Sequence, residues 1–439
     1  MNETNKIKGY PYRFIARIVI EAESPLAVGS GDKGIMTDAL VAKDINGMPY
    51  IPGTTIAGVI RHAVGDKTDD KSSVFGYHMG KEGAGSRIIF SDAVMVGKKG
   101  KALDGIQTID FSDDFYNHFI NLPVRQHVRI NELGTAEKGG KFDEQVVYKG
   151  TRFVFEIEYI SKENDKKPFN NVLEQLNYTT FRLGGGTRKG FGNIKVISVQ
   201  QMGYNLYDTD DRNLYLKKST SLSDEWQVTK ETVKEVNDDA WTKYEMILQP
   251  QDFFLFGSGK GDEDADDTPV TESIITWSAD DVPSFIDNCI LIPASSVKGA
   301  LAHRTAYYWN KKKEFYVGDP NAKTADECSA VIAIFGSPNE DAPQRGNIII
   351  DDMISKPTPS KLFNHVKIDR FTGGAIAGAL FTEKVTDARN LEFSLTILVK
   401  ASEENRTFLE LALNDLKCGL LPLGGSSNRG LGMFKEIDK

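Results

Sequence analysis

Cysteine is scarce in this chain of 439 residues: Cys289, Cys328 and Cys418 are widely spaced and all lie in the second half. Neither a disulfide framework nor a zinc site built on paired thiols is expected from such a set, and the three are read as small buried side chains. Long apolar runs are also missing. No eighteen consecutive apolar residues occur, and the N-terminus MNETNKIKGYPYRF lacks the apolar core of a signal peptide, so no membrane partner is expected and a cytoplasmic location is. The chain has no excess of basic residues either. Against 53 Lys and Arg stand 62 Asp and Glu, a net charge of −9, which excludes indiscriminate nucleic-acid binding through bulk charge. Local sites remain open, because backbone N–H groups in glycine-rich turns hold phosphates with little side-chain charge. A hydrophobic content of 40% and a charged content of 26% fit a globular protein, and the length exceeds one ordinary domain.

What is present is an internal duplication, which fixes the architecture before any element is assigned. Five segments recur in order. SPLAVGSGDKG (24–34) resembles QDFFLFGSGKGD (251–262), and YIPGTTIAGVIRHA (50–63) resembles LIPASSVKGALAHR (291–304). VFGYHMGKEGAGSRIIFSDA (74–93) resembles IFGSPNEDAPQRGNIIIDDM (334–353). QHVRINELGTAEKGGKFDEQV (126–146) resembles NHVKIDRFTGGAIAGALFTEKV (364–385). FRLGGGTRKGFGNIKV (181–196) resembles LLPLGGSSNRGLGMFKEI (420–437). The offsets between copies, 228, 241, 260, 238 and 240 residues, drift only between motifs. Extra residues therefore sit in loops: about 13 before the second IP motif, 19 after the helix that follows it, and 22 in the first half before its HV motif. The expected division is a first domain at 1–202, a connector at 203–240 that is polar with no sustained apolar face, and a second domain at 241–439.

RFIARIVIEA and KYEMILQPQDFFLF open the halves as strands. A helix follows each proline, with Thr54 and Thr55, or Ser295 and Ser296, placed as its N-cap. Two strands (RIIFSDAVMV and FVFEIEYI; NIIIDDMI and FSLTILV), a second helix (PFNNVLEQLNYTTF; NRTFLELALNDLKC), a glycine loop and a last strand complete each copy. The order β-α-β-β-α-β is that of the ferredoxin-like fold, also seen in RRM domains, so the expected class is α+β with two tandem copies. The HV segments read as β-hairpin arms inserted into that core.

IPGTTIAGVIR, HVRINELGTAEKGGKFDEQVVYKGTRF and LGGGTRKGFG, with IPASSVKG, HVKIDRFTGGAIAGALF and LGGSSNRGLG in the second half, resemble the RAMP superfamily of CRISPR-associated proteins. The branch they are most similar to is the Cas-seven-type backbone subunit of type III effector complexes, and two such domains in one chain are similar to the fused subunits of type III-D-like systems. The resemblance implies that each domain holds a stretch of guide crRNA, that the arms insert into the guide–target duplex, and that a loop Asp in active copies supports Mg²⁺-dependent cleavage of complementary target RNA. It also implies other type III effector subunits as partners. A non-catalytic guide-binding backbone and a guide-processing endoribonuclease are the alternatives; the second explains neither the two arms nor the two IP helices.

The candidate RNA contacts follow from glycine turns with basic residues and from helix N-termini. They are Gly185, Gly186, Arg188 and Lys189; Gly425, Ser426 and Arg429; Thr54, Thr55, Ser295 and Ser296; and Arg61 and Lys298, which match the family's basic positions while Ala57 and Ala302 depart from them. His127 with Arg129 and His365 with Lys367 open the arms, where RNA stacking or structural roles fit better than acid–base catalysis. By resemblance Asp38 in TDALVAKD is the catalytic and metal-binding carboxylate, with Asp44 structural. In the longer second loop either Asp267 or Glu272 takes the equivalent place, and its acidic surroundings leave cleavage by that copy open.

Overall fold

The computed structural model describes residues 9–34, 37–67, 70, 72–131, 134–316, 318–337, 339 and 342–437. It is a mixed α+β molecule whose strands form small antiparallel sheets. The longer elements of the first half are β1 (Tyr12–Ala22), α1 (Gly53–Ala63), β2 (Ile88–Phe90), β3 (Val124–Ile130), β4 (Ala136–Gln145), β5 (Arg152–Ser161), α2 (Lys167–Gln175), β6 (Ile194–Asn205) and α3 (Thr209–Lys217). Those of the second are β7 (Thr242–Pro250), β8 (Thr271–Trp277), β9 (Pro283–Ile292), α4 (Ala294–Lys312), α5 (Ser329–Phe335), β10 (Ile348–Ile350), β11 (Ser360–Ile368), β12 (Ala375–Asp387), β13 (Phe393–Val399), α6 (Glu403–Lys417) and β14 (Phe434–Glu436).

The two main sheets share one order, β2-β5-β1-β6 and β10-β13-β7-β14, with every pairing antiparallel. In each, the first strand of the half lies centrally and the last strand flanks it, so both helices are carried back over one face. Alternation does the rest: Ala16, Ile18 and Ile20 of β1 and Phe153, Phe155 and Ile157 of β5 point into one core with Ile56 and Ile60 of α1 and Phe169 and Val172 of α2. Met246, Leu248, Leu395 and Ile397 meet Val297, Leu301, Leu409 and Leu413 in the other. β3 with β4 and β11 with β12 form the two hairpin arms.

The helices start earlier than their hydroxyl residues suggest. α1 begins at Gly53 and α4 at Ala294, the cap positions are Pro52 and Pro293, and Thr54, Thr55, Ser295 and Ser296 lie inside the first turn. The capping acceptor comes from elsewhere in the fold: Gly53 N donates to Asp92 Oδ1 at 2.8 Å and Ala294 N to Asp352 Oδ1 at 2.7 Å. A proline cannot offer a side-chain oxygen, so the free N–H is met by a carboxylate from the turn after the next sheet strand.

The inserted segments also have defined places. Residues 203–205 continue β6, α3 follows, and the strap after it lies on β1, where the buried Arg17 donates to Ser221 O and Asp224 O while pairing with Glu156 at 2.9 Å. A segment without an apolar stripe is thus held by hydrogen bonds from the sheet, with Leu222 buried against Val96, Ala102 and Val154. The β8–β9 ribbon reaches across to the first half, burying Ile275 in its core, donating Trp277 Nε1 to Gly150 O at 2.7 Å and stacking Phe285 on His118 at 3.8 Å. Cys289 and Cys328 are buried as expected; Cys418 is exposed because it closes α6 at its C-cap.

Candidate nucleic-acid interface

The repeat becomes a three-dimensional equivalence at the root of each arm. Lys189 N donates to Gly186 O, and Arg429 N to Ser426 O; Gly185 N donates to Ala27 O, and Gly425 N to Leu255 O. The glycine at each turn is required by geometry. Gly184 and Gly424 hold φ values of 82° and 91°, and a Cβ at either would stand 2.7 or 2.4 Å from the carbonyl oxygen of Ala27 or Leu255. These turns place Lys189 and Arg429 beside matching residues of the arms. His127 Nε2 lies 2.9 Å from Glu144 Oε1, and Lys189 Nζ 3.2 Å from the same oxygen. In the second half His365 Nε2 lies 3.2 Å from Glu383 Oε2, while Arg429 Nη1 donates to Glu383 Oε1 at 2.7 Å and Ser426 Oγ donates to the same oxygen at 3.0 Å. Phe142 stacks on His127 at 4.8 Å and carries Lys189 Nζ over its face at 4.3 Å; Phe381 stacks on His365 at 4.7 Å beneath the Arg429 guanidinium at 4.8 Å. Burial pushes the Glu144 carboxyl up, but its contacts with His127 and Lys189 outweigh this and hold it below the usual range. Each site is therefore a cation oriented by a glutamate, half-buried at 144 and buried at 383, on an aromatic face, an arrangement suited to phosphate and base contacts together.

The carboxylates sit one residue away. Ala39 bridges Glu144 in parallel, and the exposed Asp38 accepts from Asp143 N through Oδ2 at 3.1 Å. In the second half it is Asp267 that bridges Glu383, and Asp266 that accepts from Thr382 N through Oδ2 at 2.8 Å. Gln145 N donates to Ala39 O as Lys384 N does to Asp267 O. Asp266 is thus the positional counterpart of Asp38, and Asp267 that of Ala39. Asp266 is exposed, whereas Asp267 folds inward against Gly257, where burial and the nearby Glu383 raise its pKa. Glu272 is remote from this cluster: it is buried and pairs with Arg125 at the junction between halves.

Asp143 Oδ1 and Asp267 Oδ1 are buried without a hydrogen-bond partner, an arrangement that costs free energy unless something meets them. The pairs Asp38 with Asp143 and Asp266 with Asp267 fit a hard divalent cation, since Mg²⁺ takes one or two carboxylates and completes its shell with water and phosphate oxygens. A closed cage of three or more His, Cys, Asp or Glu side chains does not occur among the described residues.

A second cationic cluster straddles the junction. Lys298 of α4 makes no ion pair among the described residues, and its pKa is pushed down to about 8 by burial and by the charges of Arg188 and Lys189. Arg188 is itself lowered to about 10 by burial and by Arg345 and Arg182; its Nε donates to Gly346 O at 2.9 Å and its guanidinium stands 5.5 Å over Trp241. The remaining expected contacts are more dispersed. Arg61 is turned onto Asp66 at 2.9 Å and Gly76 O at 2.8 Å, Arg129 pairs with Glu137 at 3.0 Å and with Asp326, and Lys367 is exposed on its arm. Glu144, Glu383, Asp143, Asp266 and Arg125 were not singled out by the sequence reading. The first two carry a repeated signal, since FDEQV and FTEKV place Phe and Glu at the same spacing after both arm tips.

A family model described as the RAMP superfamily matches residues 19–195 and 282–435. The chain therefore belongs to the RAMP superfamily, and the two separate matches fit a tandem arrangement. Membership points to a CRISPR-associated, RNA-binding subunit with RNA and CRISPR-complex proteins as partners. No curated protein matches the chain. No helix among the described residues is long and apolar enough to cross a membrane.

Proposed function

We propose that the chain is a double backbone subunit of a type III CRISPR effector ribonucleoprotein, of the type III-D-like arrangement, that holds guide crRNA across its two halves and cleaves complementary target RNA at Asp38. Its domains run over 1–202 and 241–439 with 203–240 between them, and the shared strand order supports ferredoxin-like cores. The observation that carries the guide-binding reading is Lys298, partly buried and without an ion pair among the described residues, near enough to Arg188 and Lys189 of the other half for their charges to lower its pKa. Like charges held near one another in partly buried surroundings are costly in isolation and become favourable once an anion enters. A phosphate there would be shared by both halves, while Lys189 and Arg429 at the arm roots would hold phosphates one repeat apart.

Cleavage asks for little beyond this. RNA carries its own nucleophile: the 2′-oxygen attacks phosphorus, the 5′-oxygen leaves, and a 2′,3′-cyclic phosphate and a 5′-hydroxyl result as the 2′-proton passes to solvent and the leaving oxygen gains one. Asp38 and Asp143 would hold Mg²⁺ or another divalent cation, which supplies charge neutralisation at the phosphate oxygens. The arm would splay the base pair so that the 2′-oxygen comes in line. In the second half Asp266 would serve as Asp38 does.

The test is salt-dependent binding of a crRNA by the intact chain. Lys298→Ala, Arg188→Ala and Lys189→Ala are each expected to lower the slope of log affinity against log salt by about one. Unchanged slopes in all three would overturn the reading, and spacer-derived RNA bound to protein recovered from its native host would support it directly.

A further inference from the structure

The junction between the halves is a polar joint with a donor side and an acceptor side. The first half donates Arg125, whose Nη1 meets Asp352 Oδ2 at 2.7 Å and whose Nε meets Glu272, and Arg182, whose Nη2 meets Asp351 at 2.9 Å, together with Arg188 on Gly346 O. The second half accepts with the carboxylate that caps α4. Gly190 makes the approach possible: a Cβ there would stand 2.5 Å from Asp352 Oδ1 and 2.8 Å from the Ala294 side chain.

Because the halves are copies, each also has a free face of the opposite kind. The first half keeps the acceptor: Asp92 caps α1 as Asp352 caps α4, is exposed, and makes no ion pair among the described residues. The second half has lost the donors. By the equivalences His127 with His365, Leu183 with Leu423 and Lys189 with Arg429, the counterparts of Arg125, Arg182 and Arg188 are Phe363, Pro422 and Asn428. Its loop is open, with nothing within 4 Å of a Cβ at Gly430, where Gly190 is closed.

We infer that the Asp92 face of α1 is a docking surface for a separate protein that presents an arginine where Arg125 meets Asp352, and that a second copy of this chain is not that protein. The inference stands on the molecule's own junction and is independent of RNA binding. An arginine set here would meet a capping carboxylate whose Oδ1 is already fixed by Gly53 N, the geometry seen at Asp352. The second-half face offers an aromatic ring, a proline and an amide instead, none of which carries the positive charge that an ion pair with Asp92 needs.

The experiment restores the donors. Light scattering on purified chain without RNA is expected to give a monomer, and the Phe363→Arg, Pro422→Arg, Asn428→Arg variant is expected to assemble head to tail. Adding Asp92→Asn, which keeps the cap on Gly53 N but removes the charge, should weaken that assembly by about 30-fold or more. Head-to-tail oligomers of the unaltered chain would overturn the proposal. So would a restored variant that folds normally by circular dichroism yet stays monomeric, or one whose assembly is indifferent to Asp92→Asn. If the triple substitution disturbs folding, Phe363→Arg with Asn428→Arg gives the same readout without touching Pro422.

Discussion

The two halves solve the same problem with different carboxylates. In the first, the exposed acid at the arm root is Asp38 and its companion, Asp143, comes from β4 itself; in the second, the exposed acid is Asp266 and its companion is the adjacent Asp267. What stays fixed is the His–Glu–cation group on a phenylalanine. What varies is the acid next to it, together with the loops. On the proposed reading, a repeat that keeps the group fixing backbone and cation while the neighbouring acid changes would separate holding RNA from cutting it.

The junction offers the largest way to break the comparison. Arg125 is buried between Asp352 and Glu272; burial alone would lower its pKa, but the two carboxylates hold it raised, while Asp352 is pushed up to about 6 by burial that Arg125 offsets only in part. Arg125→Ala leaves two acids around an empty centre and is expected to cost about 3–5 kcal/mol. Its counterpart change, Phe363→Ala, removes one partly exposed ring and is expected to cost about 1 kcal/mol. Urea unfolding of both variants reads the difference, and equal losses would mean that the junction is no more than surface packing.

Next in size is the cut itself. In a complex loaded with guide and target, Asp38→Ala is expected to slow one cleavage by roughly 100-fold or more while leaving RNA affinity nearly intact. For the second half, Asp266→Ala should do the same at a position one repeat away, and Asp267→Ala should do less because that side chain folds inward. Loss of RNA binding in Asp38→Ala would make the residue structural. A second cut lost only in Asp267→Ala would reverse the assignment within the second half.

A smaller effect separates Lys298 from the arginines by pH. With its pKa near 8 in the free protein, Lys298 is mostly charged at pH 7, and a bound phosphate raises that pKa. Below pH 8 binding needs no proton uptake, so affinity is level; above pH 8 the free lysine is neutral and must take up a proton, so affinity falls as pH rises. Lys298→Arg should bind at pH 7 and flatten this decline up to pH 9. A decline that persists in the arginine variant would place the titrating group elsewhere.

Much of this was legible in the sequence because repetition marks it. The five motif pairs gave the succession of elements along each half, the arms and the glycine turns, since a glycine that must hold positive φ against a carbonyl cannot drift. The capping aspartates were hidden because Asp92 and Asp352 lie 39 and 58 residues from the N–H groups they meet. The positional counterpart of Asp38, Asp266, lay outside the two candidates Asp267 and Glu272 for a similar reason: in GDEDADDTPV the acids look interchangeable, and only the bridge from Asp267 to Glu383 fixes which faces outward. The ordering of 203–240 could not be read from an apolar stripe, because buried polar partners such as Arg17 hold much of it.

The smallest expected effect tests whether the two arm roots are equal. Lys189 and Arg429 occupy one position, but a lysine is a point charge on a flexible stem whereas an arginine presents a planar fork. Lys189 shares Glu144 with His127 through a single oxygen, and Arg429 shares Glu383 with both His365 and Ser426. Each cation spends one charge interaction on its glutamate and, on the proposed reading, offers its remaining donors to RNA. Removing either should therefore lower the salt slope of RNA binding by about one, and removing both by about two, since the sites are separate and their contributions add. Lys189→Arg should preserve the slope and tighten binding slightly, because a fork can hold Glu144 and a phosphate at once, while Arg429→Lys should loosen it by a similar amount. Filter binding across a salt series with a crRNA long enough to span both halves measures all four variants. A slope lost at Lys189 and kept at Arg429 would break the equivalence, leaving the second arm root as a structural copy that no longer touches the guide.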